Sequence, residues 1–377
     1  MERLTFTFIL FALFRCVYGE KISTSETVHN LLKDYAKSLP ASTGEQLPLE
    51  IEINLALSHV SVNDASNNFE LQCFLRQYWR ESRFVFDEKS GTAQLRGEQI
   101  HRIWRPDTEF LREKWTGSSS SPGDRTLLQL RHDGELRQSQ LHRVTLAGDF
   151  HFEKFPFDTQ RLKISVFSPS YTIDEIEFKW HEPAFLFEVE DLNGKLAPGF
   201  TVTDFTKRDC TFMTSETGIH SCLELTIIAR RNYEPFIIRI FSPICTLVLV
   251  SFFSFFLDPH KFQTARVLLP AMLLIAITFF TNDLRSIIPE TNYVKAIDIW
   301  LGTCVATVFA VLVQSIIVVG QSKKAELKVC GSAEPLIPKN GSNLFSNNSC
   351  SSIDYFSKVA FLLFFFIFSV SLFVLYA

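Results

Sequence analysis

Four long apolar stretches in the C-terminal half constrain the fold of this chain more than any other feature of its sequence. They lie near residues 236–257, 267–284, 294–319 and 356–376. A helix needs roughly 20 mostly apolar residues to cross the hydrocarbon core of a bilayer, where only helices and closed barrels satisfy their backbone polar groups. Because these stretches are long and uninterrupted, the sequence predicts four transmembrane helices, three close together and a fourth after a polar segment.

The first residues have the pattern of a secretory signal peptide. A short charged start precedes an apolar core at residues 4–17 and a plausible cleavage site after Gly19. A fifth membrane helix is the alternative, but the apolar core is short and Arg15 interrupts it. We therefore expect the residues that follow Gly19 to be secreted.

The signal peptide and the four spans together predict a topology. Lys323, Lys324 and Lys328 then lie on the cytoplasmic side, where positive residues are enriched. The predicted regions are a signal peptide (1–19), an extracellular domain (20–235), membrane helices one to three (236–319), a cytoplasmic loop (320–352) and membrane helix four (353–377).

Composition and motifs disfavour several functional classes. Hydrophobic residues make up 46% of the chain, which fits a membrane protein, and the net charge of -4 includes no basic tract for nucleic acid. No nucleophile–base pair, phosphate-binding loop or HxxxH-type metal spacing indicates an enzyme.

Three cysteines remain outside the membrane once those of the signal peptide, the spans and the cytoplasmic loop are set aside. Cys210 and Cys222 are separated by eleven residues that can form a hairpin with Thr217 and Gly218 at its tip. Because the extracellular environment is oxidising, we expect these two to be bridged. Cys73 is then left as a buried thiol in a strand.

The extracellular part shows the period-two alternation of half-buried strands, preceded by helical spacing at residues 27–38. About ten short strands indicate a β-sandwich. The clearest alternations are at residues 49–57, 69–75, 127–130, 136–146, 161–167, 175–179 and 222–229.

Six short blocks occur in order along the mature chain. They are FLRQYW (74–79), WRPD (104–107), FPFD (155–158), Tyr171-Thr172 with Trp180, the Cys210/Cys222 hairpin and KAIDIW (295–300). With the three-plus-one membrane plan, they resemble the pentameric ligand-gated ion channels, the Cys-loop receptor superfamily. KAIDIW and the sequence Ala265-Arg266-Val267 resemble the glycine, GABA and glutamate-gated chloride branch.

The resemblance implies a plasma-membrane pentamer of identical or related subunits. A small extracellular agonist would bind between subunits, and inorganic ions, here chloride, would pass through a pore within the lipid bilayer. The chain departs from the family at one point. The two cysteines that flank the FPFD block in the family, and form its namesake bridge, are replaced here by Gly148 and Leu162.

The same resemblance implies a coupling role for three residues around the FPFD loop. In the family this loop presses on the membrane helices when ligand binds. Pro156 and Asp158 belong to it, and Asp158 is expected to pair with Arg231, just before the first span. A turn cap is the alternative role for Asp158.

Ligand-binding residues are implied on two faces. Phe74, Arg76 and Ser139 correspond to the face that holds the ligand's carboxylate in the glycine-receptor branch. An exposed strand charge is the alternative for Arg76.

On the opposite face Tyr171 and Thr217 are retained, whereas His220 replaces an aromatic residue. His220 can also titrate near neutral pH or bind zinc, so a proton-gated or zinc-gated channel stays open.

The pore assignment depends on the register of the second membrane helix. The family register points a mostly apolar set into the lumen, namely Leu268, Met272, Ile275, Phe279 and Asn282. Periodicity alone allows a more polar stripe, made of Ala271, Leu274, Thr278, Asn282 and Arg285. Hydrophobic rings can gate a pore by dewetting.

Selectivity is expected to depend on Ala265 and Arg266 at the start of this helix. Ala265 takes the position where cation channels carry a glutamate, which favours anions. A cation-selective channel and an auxiliary, non-conducting subunit of a heteropentamer are the alternatives.

Overall fold

A computed structural model describes residues 32–33, 35–38, 48–86, 92–114, 126–187, 197–214, 218–285, 288–331 and 343–376, of which 325–331 and 343–354 are described by their backbone only. The predicted signal peptide and Thr217 lie outside these residues, as does half of the helix predicted at 27–38. Of its described half, Leu32 and Lys33 are helical and residues 35–38 are not. The chain forms two compact units, one from Met1–Phe150 with Arg161–Ala229 and one from His151–Gln160 with Arg230–Ala377.

The first unit is built from β-strands that the alternating residues predict. The described residues form twelve strands: β1 (Leu49–Asn63), β2 (Asn68–Val85), β3 (Thr92–Leu95), β4 (Glu109–Phe110), β5 (Thr126–Arg131), β6 (Asp133–Ala147), β7 (Thr159–Phe167), β8 (Ile176–Phe187), β9 (Phe200–Asp209), β10 (Phe212–Thr214), β11 (Gly218–His220) and β12 (Cys222–Arg231). A short helix, α1 (Glu98–Arg102), follows β3.

These strands form three sheets. Their orders are β3-β5-β6-β2-β1-β8, β4-β7-β12-β9 and β10-β11. Alternate residues of β2 point inward. Leu71, Cys73 and Leu75 are therefore buried, whereas Phe74 and Arg76 on the opposite face are only half-buried. The predicted β-sandwich is confirmed, and the inward residues of its strands form the core of this unit.

The second unit contains the membrane helices. The first span, Glu234–Phe256, consists of α2 (Glu234–Phe236), a π-helical turn (Ile237–Phe241), α3 (Ser242–Phe252) and a 3-10 turn (Phe253–Phe256). It is followed by α4 (Gln263–Leu284), α5 (Ala296–Gly331) and α6 (Asn343–Tyr376). Each of these three helices also contains an apolar span, at Gln263–Leu284, Ala296–Lys324 and Tyr355–Tyr376. Four membrane-length helices therefore confirm the predicted membrane domain.

Two helices extend into the segment predicted as a cytoplasmic loop. The backbone of α5 stays helical to Gly331, and α6 already begins at Asn343. The apolar pattern that guides the sequence prediction stops at the membrane surface, whereas the helix itself continues. That the cytoplasmic loop begins at 320 and ends at 352 stays a prediction, since these boundaries concern the membrane surface.

Candidate ligand, coupling and pore sites

The predicted carboxylate-binding residues lie together on the half-buried outward face of β2 and β6. Arg76 lies directly opposite Ser139 in the antiparallel register, and Phe74 lies opposite Leu141. Ser139 is in turn opposite Leu127 of β5, an exposed apolar residue. A guanidinium and a hydroxyl beside apolar groups can bind a carboxylate by charge-assisted hydrogen bonds. The ligand-binding role of these residues stays a prediction.

Tyr171 lies in the turn after β7 and is held by the WRPD block. Its hydroxyl accepts a hydrogen bond of 3.0 Å from Nε1 of Trp104, and the two rings meet edge to face at 6.0 Å. Asp107 accepts hydrogen bonds from the Ser168 hydroxyl at 2.5 Å and the Ser170 amide at 2.8 Å. The sequence identified WRPD as a block, but gave no sign that it fixes this turn.

His220 attaches the disulfide hairpin to the same turn. Its Nδ1 is 3.0 Å from the carbonyl oxygens of both Ser168 and Tyr171, and its ring stacks on that of Phe212. Since a carbonyl can only accept, Nδ1 must carry a proton and donate to these oxygens. The side chain is 3% exposed. His220 is therefore a buried link between β11 and the turn, and its roles toward agonist, protons or zinc stay predictions.

Metal binding finds no further support among the described residues. They contain no group of three or more His, Cys, Asp or Glu side chains that could hold a metal ion. The Cys210–Cys222 disulfide is present, and the Cys210 amide donates to the Cys222 carbonyl at 2.9 Å. Cys73 is a buried free thiol, and its burial raises the pKa to about 12.

Asp158 and Arg231 form a buried ion pair within the second unit. The guanidinium Nε is 2.8 Å from Oδ1 and Nη2 is 3.1 Å from Oδ2, while the Arg231 amide donates to the Asp158 carbonyl at 3.1 Å. The two side chains are 4% and 2% exposed. The guanidinium also lies over the ring of Phe155, 4.8 Å from its centroid. The structure thus brings together the residues that the resemblance pairs, and their role in gating stays a prediction.

The segment His151–Gln160, which contains FPFD, packs on the membrane helices. Phe155 contacts Phe236 of the first span, with ring centroids 5.2 Å apart. Phe157 lies next to Pro156 and contacts Phe373 of α6 at 5.0 Å.

The same segment also binds the end of the linker that follows α4 and the first residue of α5. The Phe152 amide donates to the Tyr293 hydroxyl, and the Ala296 amide donates to the Glu153 carbonyl, each at 2.9 Å. A displacement of the segment would therefore pull on Tyr293, which precedes the third span, and on Ala296, the first residue of that span.

The residues of α4 separate into a buried and an exposed face. The buried side chains are Arg266, Pro270, Ile277 and Leu284. The exposed side chains include all five of the predicted lumen set, with 51% exposure at Ile275 and 72% at Phe279. In the alternative stripe Ala271 and Leu274 are half-buried. Thr278, Asn282 and Arg285 of that stripe are exposed as well, so the pore register stays a prediction.

Ala265 and Arg266 lie in different environments at the start of α4. Ala265 is exposed, whereas Arg266 is fully buried and its Nη1 donates to the Leu257 carbonyl at 2.7 Å. Leu257 directly follows the first span, so this bond ties the start of α4 to the end of the preceding helix.

Comparison with known proteins identifies the family. Residues 24–233 match the neurotransmitter-gated ion-channel ligand binding domain, and residues 240–330 match the neurotransmitter-gated ion-channel transmembrane region. The chain belongs to the neurotransmitter-gated ion-channel family. This confirms the resemblance inferred from the six blocks. The first unit therefore holds an extracellular ligand-binding domain that precedes four membrane-spanning helices, as in plasma-membrane ligand-gated channels, which are not enzymes.

Similar members of the neurotransmitter-gated ion-channel family include gamma-aminobutyric acid and glycine receptor subunits and a glutamate-gated chloride channel. The chain is 29% identical to a gamma-aminobutyric acid receptor subunit beta of Caenorhabditis elegans over 78% of its own length and 52% of that protein. It is 29% identical to a glutamate-gated chloride channel of Drosophila melanogaster, with 72% and 59% covered. It is 28% identical to the human glycine receptor subunit beta, with 78% and 60% covered. The chain thus spans between half and two thirds of the length of these relatives.

Proposed function

We propose that this chain is a subunit of a pentameric chloride channel that a small carboxylate-bearing amino acid opens from the extracellular side. The observation that carries the channel assignment is the exposed face of α4. Four large apolar side chains and Asn282 cover it, while the opposite face packs within the subunit. A subunit in a lipid bilayer can line an aqueous path only with residues that its own fold leaves uncovered.

Several observations support the gating part of the proposal. The Asp158–Arg231 pair, the aromatic contacts of Phe155 and the bonds to Tyr293 and Ala296 all join the segment His151–Gln160 to the membrane helices. Rings of Ile275 and Phe279 from five subunits would exclude water and so close the resting pore.

Anion selectivity is supported by the start of α4. No carboxylate stands at Ala265, and the relatives with 28% and 29% identity include a chloride channel by name. The ligand class is supported by Arg76, which faces Ser139 across the strand pair. The arrangement of His220 gives less support to zinc as the agonist, because its Nδ1 donates to two carbonyls and its ring is buried.

The test is to express the full chain in oocytes and to apply glycine, GABA and L-glutamate under voltage clamp. We expect one of them to evoke a current whose reversal potential moves positive by about 59 mV for a tenfold reduction of external chloride. A reversal potential that follows sodium instead would contradict the anion assignment.

A pair of arginine variants tests the ligand site. Arg76→Ala should raise the half-activating concentration by about 10-fold to 100-fold, because a charge-assisted hydrogen bond contributes about 1.5–3 kcal/mol. Arg80→Ala is the matched control, since Arg80 is an exposed arginine four residues further along β2 on the same face and lies opposite Glu135 in the register. Equal effects of the two variants would argue against a specific role for Arg76.

The apolar face of α4 also supports a second candidate, an auxiliary subunit that does not conduct by itself. Such a subunit would be silent to all three amino acids when expressed alone. Co-expression with a GABA receptor beta subunit would then give a current that differs from the partner's own in reversal potential or agonist sensitivity.

A further inference from the structure

The segment His151–Gln160 is closed by the side-chain amide of its last residue. Oε1 of Gln160 accepts a hydrogen bond from the His151 amide at 3.1 Å, and Nε2 donates to the His151 carbonyl at 2.7 Å. One planar amide thus pairs with both backbone groups of a residue nine positions earlier, as a neighbouring strand would. Gln160 is 1% exposed, so the amide end of these bonds is buried, whereas His151 at the other end is an exposed residue.

The residues that flank this segment, Gly148 and Leu162, are held by packing. A side chain added at Gly148 would put its Cβ only 2.6 Å from the Phe150 ring. Phe150 in turn packs beside Phe69, and Leu162 is fully buried in β7. An aromatic ring therefore packs against Gly148 on one side of the segment, and an apolar core residue follows it on the other.

The same amide also contacts the buried ion pair. Nε2 of Gln160 donates its second hydrogen to Oδ2 of Asp158, whose carboxylate faces Arg231. An amide nitrogen has two hydrogens, and here one is donated to the His151 carbonyl and the other to the Asp158 carboxylate. Loss of the amide would therefore open the segment and leave the Asp158 carboxylate without one of its donors at the same time.

We infer that Gln160 is a positioning residue that closes this segment through its side-chain amide and holds the Asp158 carboxylate toward Arg231. Its consequence for gating rests on the proposed function, whereas the closure itself does not.

Hydrogen exchange on the purified full-length chain tests the closure without any agonist. In Gln160→Leu, the amides of residues 151–157 should exchange about 5-fold faster or more, the factor that corresponds to the loss of about 1 kcal/mol of hydrogen bonding. The Arg231 amide, which donates to the Asp158 carbonyl, should also exchange faster. Gln138→Leu is the matched control, because Gln138 is an equally buried strand glutamine whose amide bonds only its neighbour Gln140 among the described residues.

A second variant covers the case in which Gln160→Leu does not fold. Gln160→Glu keeps the size of the side chain and an acceptor for the His151 amide, but turns both donors into an acceptor that faces an oxygen. It should accelerate exchange in the same residues. Unchanged exchange at residues 151–157 in either folded variant would overturn the closure, and unchanged exchange at Arg231 would overturn the positioning of Asp158.

The consequence for gating is tested in oocytes with whichever of glycine, GABA or L-glutamate opens the wild-type channel. Gln160→Glu should raise the half-activating concentration by about 5-fold or more, with surface labelling and reversal potential unchanged; a residue that only stabilises the fold would lower labelling alone. An unchanged concentration alongside faster exchange would overturn the gating consequence. A silent wild type would count against the proposed function, and the exchange data would still decide the closure.

Discussion

The buried pair Asp158–Arg231 gives the sharpest quantitative expectation. Removal of one charge from a buried pair costs about 3–5 kcal/mol, because the other charge stays buried without its partner. With side chains only 4% and 2% exposed, neither Asp158→Asn nor Arg231→Gln lets water replace the lost partner. The double variant leaves no orphan charge, so it should cost no more than either single variant. The three measurements form a double-mutant cycle with a coupling energy of about 3 kcal/mol or more.

The assay is native-state hydrogen exchange of residues 151–160 in the purified full-length chain, which reports the free energy of local opening. Lys163→Ala is the control, because it breaks a nearby pair with Asp149 whose side chains are 36% and 52% exposed. Such exposed pairs contribute about 0–1 kcal/mol, so this variant should barely change the opening free energy. Single effects of Asp158→Asn and Arg231→Gln that simply add in the double variant would refute the reasoning.

Three further predictions concern the pore, pH and the hairpin. Phe279→Ser should increase the resting current several-fold, measured as holding current before agonist, because a hydroxyl ring would wet the constriction. Burial lowers the pKa of His142 to about 4, below its ordinary value of 6.5, so only the unfolded chain binds this proton between those values. Stability should therefore fall by about 3 kcal/mol as the pH drops from 6.5 to 4, and melting of His142→Leu should lack that component. Cys210→Ser with Cys222→Ser should lower the stability of the extracellular domain by about 2–4 kcal/mol in thermal melts, with the double variant no worse than either single one.

The membrane spans could be predicted from sequence because span length and apolarity are local properties. The strands could be predicted only where one face is buried. β9 was missed since its residues after Phe200 are mostly exposed and so lack alternation, and β4 is only two residues long. The continuation of α5 to Gly331 could not be predicted either, because the apolar pattern ends near Val319 and no other local signal marks the helix beyond it.

The links that hold the sites together were harder to predict, because most of them end on backbone atoms. His220 donates to carbonyls 52 and 49 residues away, and Gln160 pairs with the backbone of His151. Every residue carries a main-chain carbonyl, so the sequence does not indicate which residue accepts the bond of a buried donor. The ion pair of Asp158 with Arg231 could be predicted from the family resemblance, because both partners are charged side chains that the sequence itself identifies.

The start of α4 shows how a residue type can suggest one chemistry and a fold another. An arginine beside the pore entrance suggests a charge that ions meet directly, yet Arg266 is fully buried and binds the Leu257 carbonyl. Burial does not remove its influence, because a charge in a low-dielectric medium is screened less than one in water. Its guanidinium therefore combines two effects. It fixes the start of α4 to the end of the preceding span, and it contributes a positive field behind the exposed Ala265.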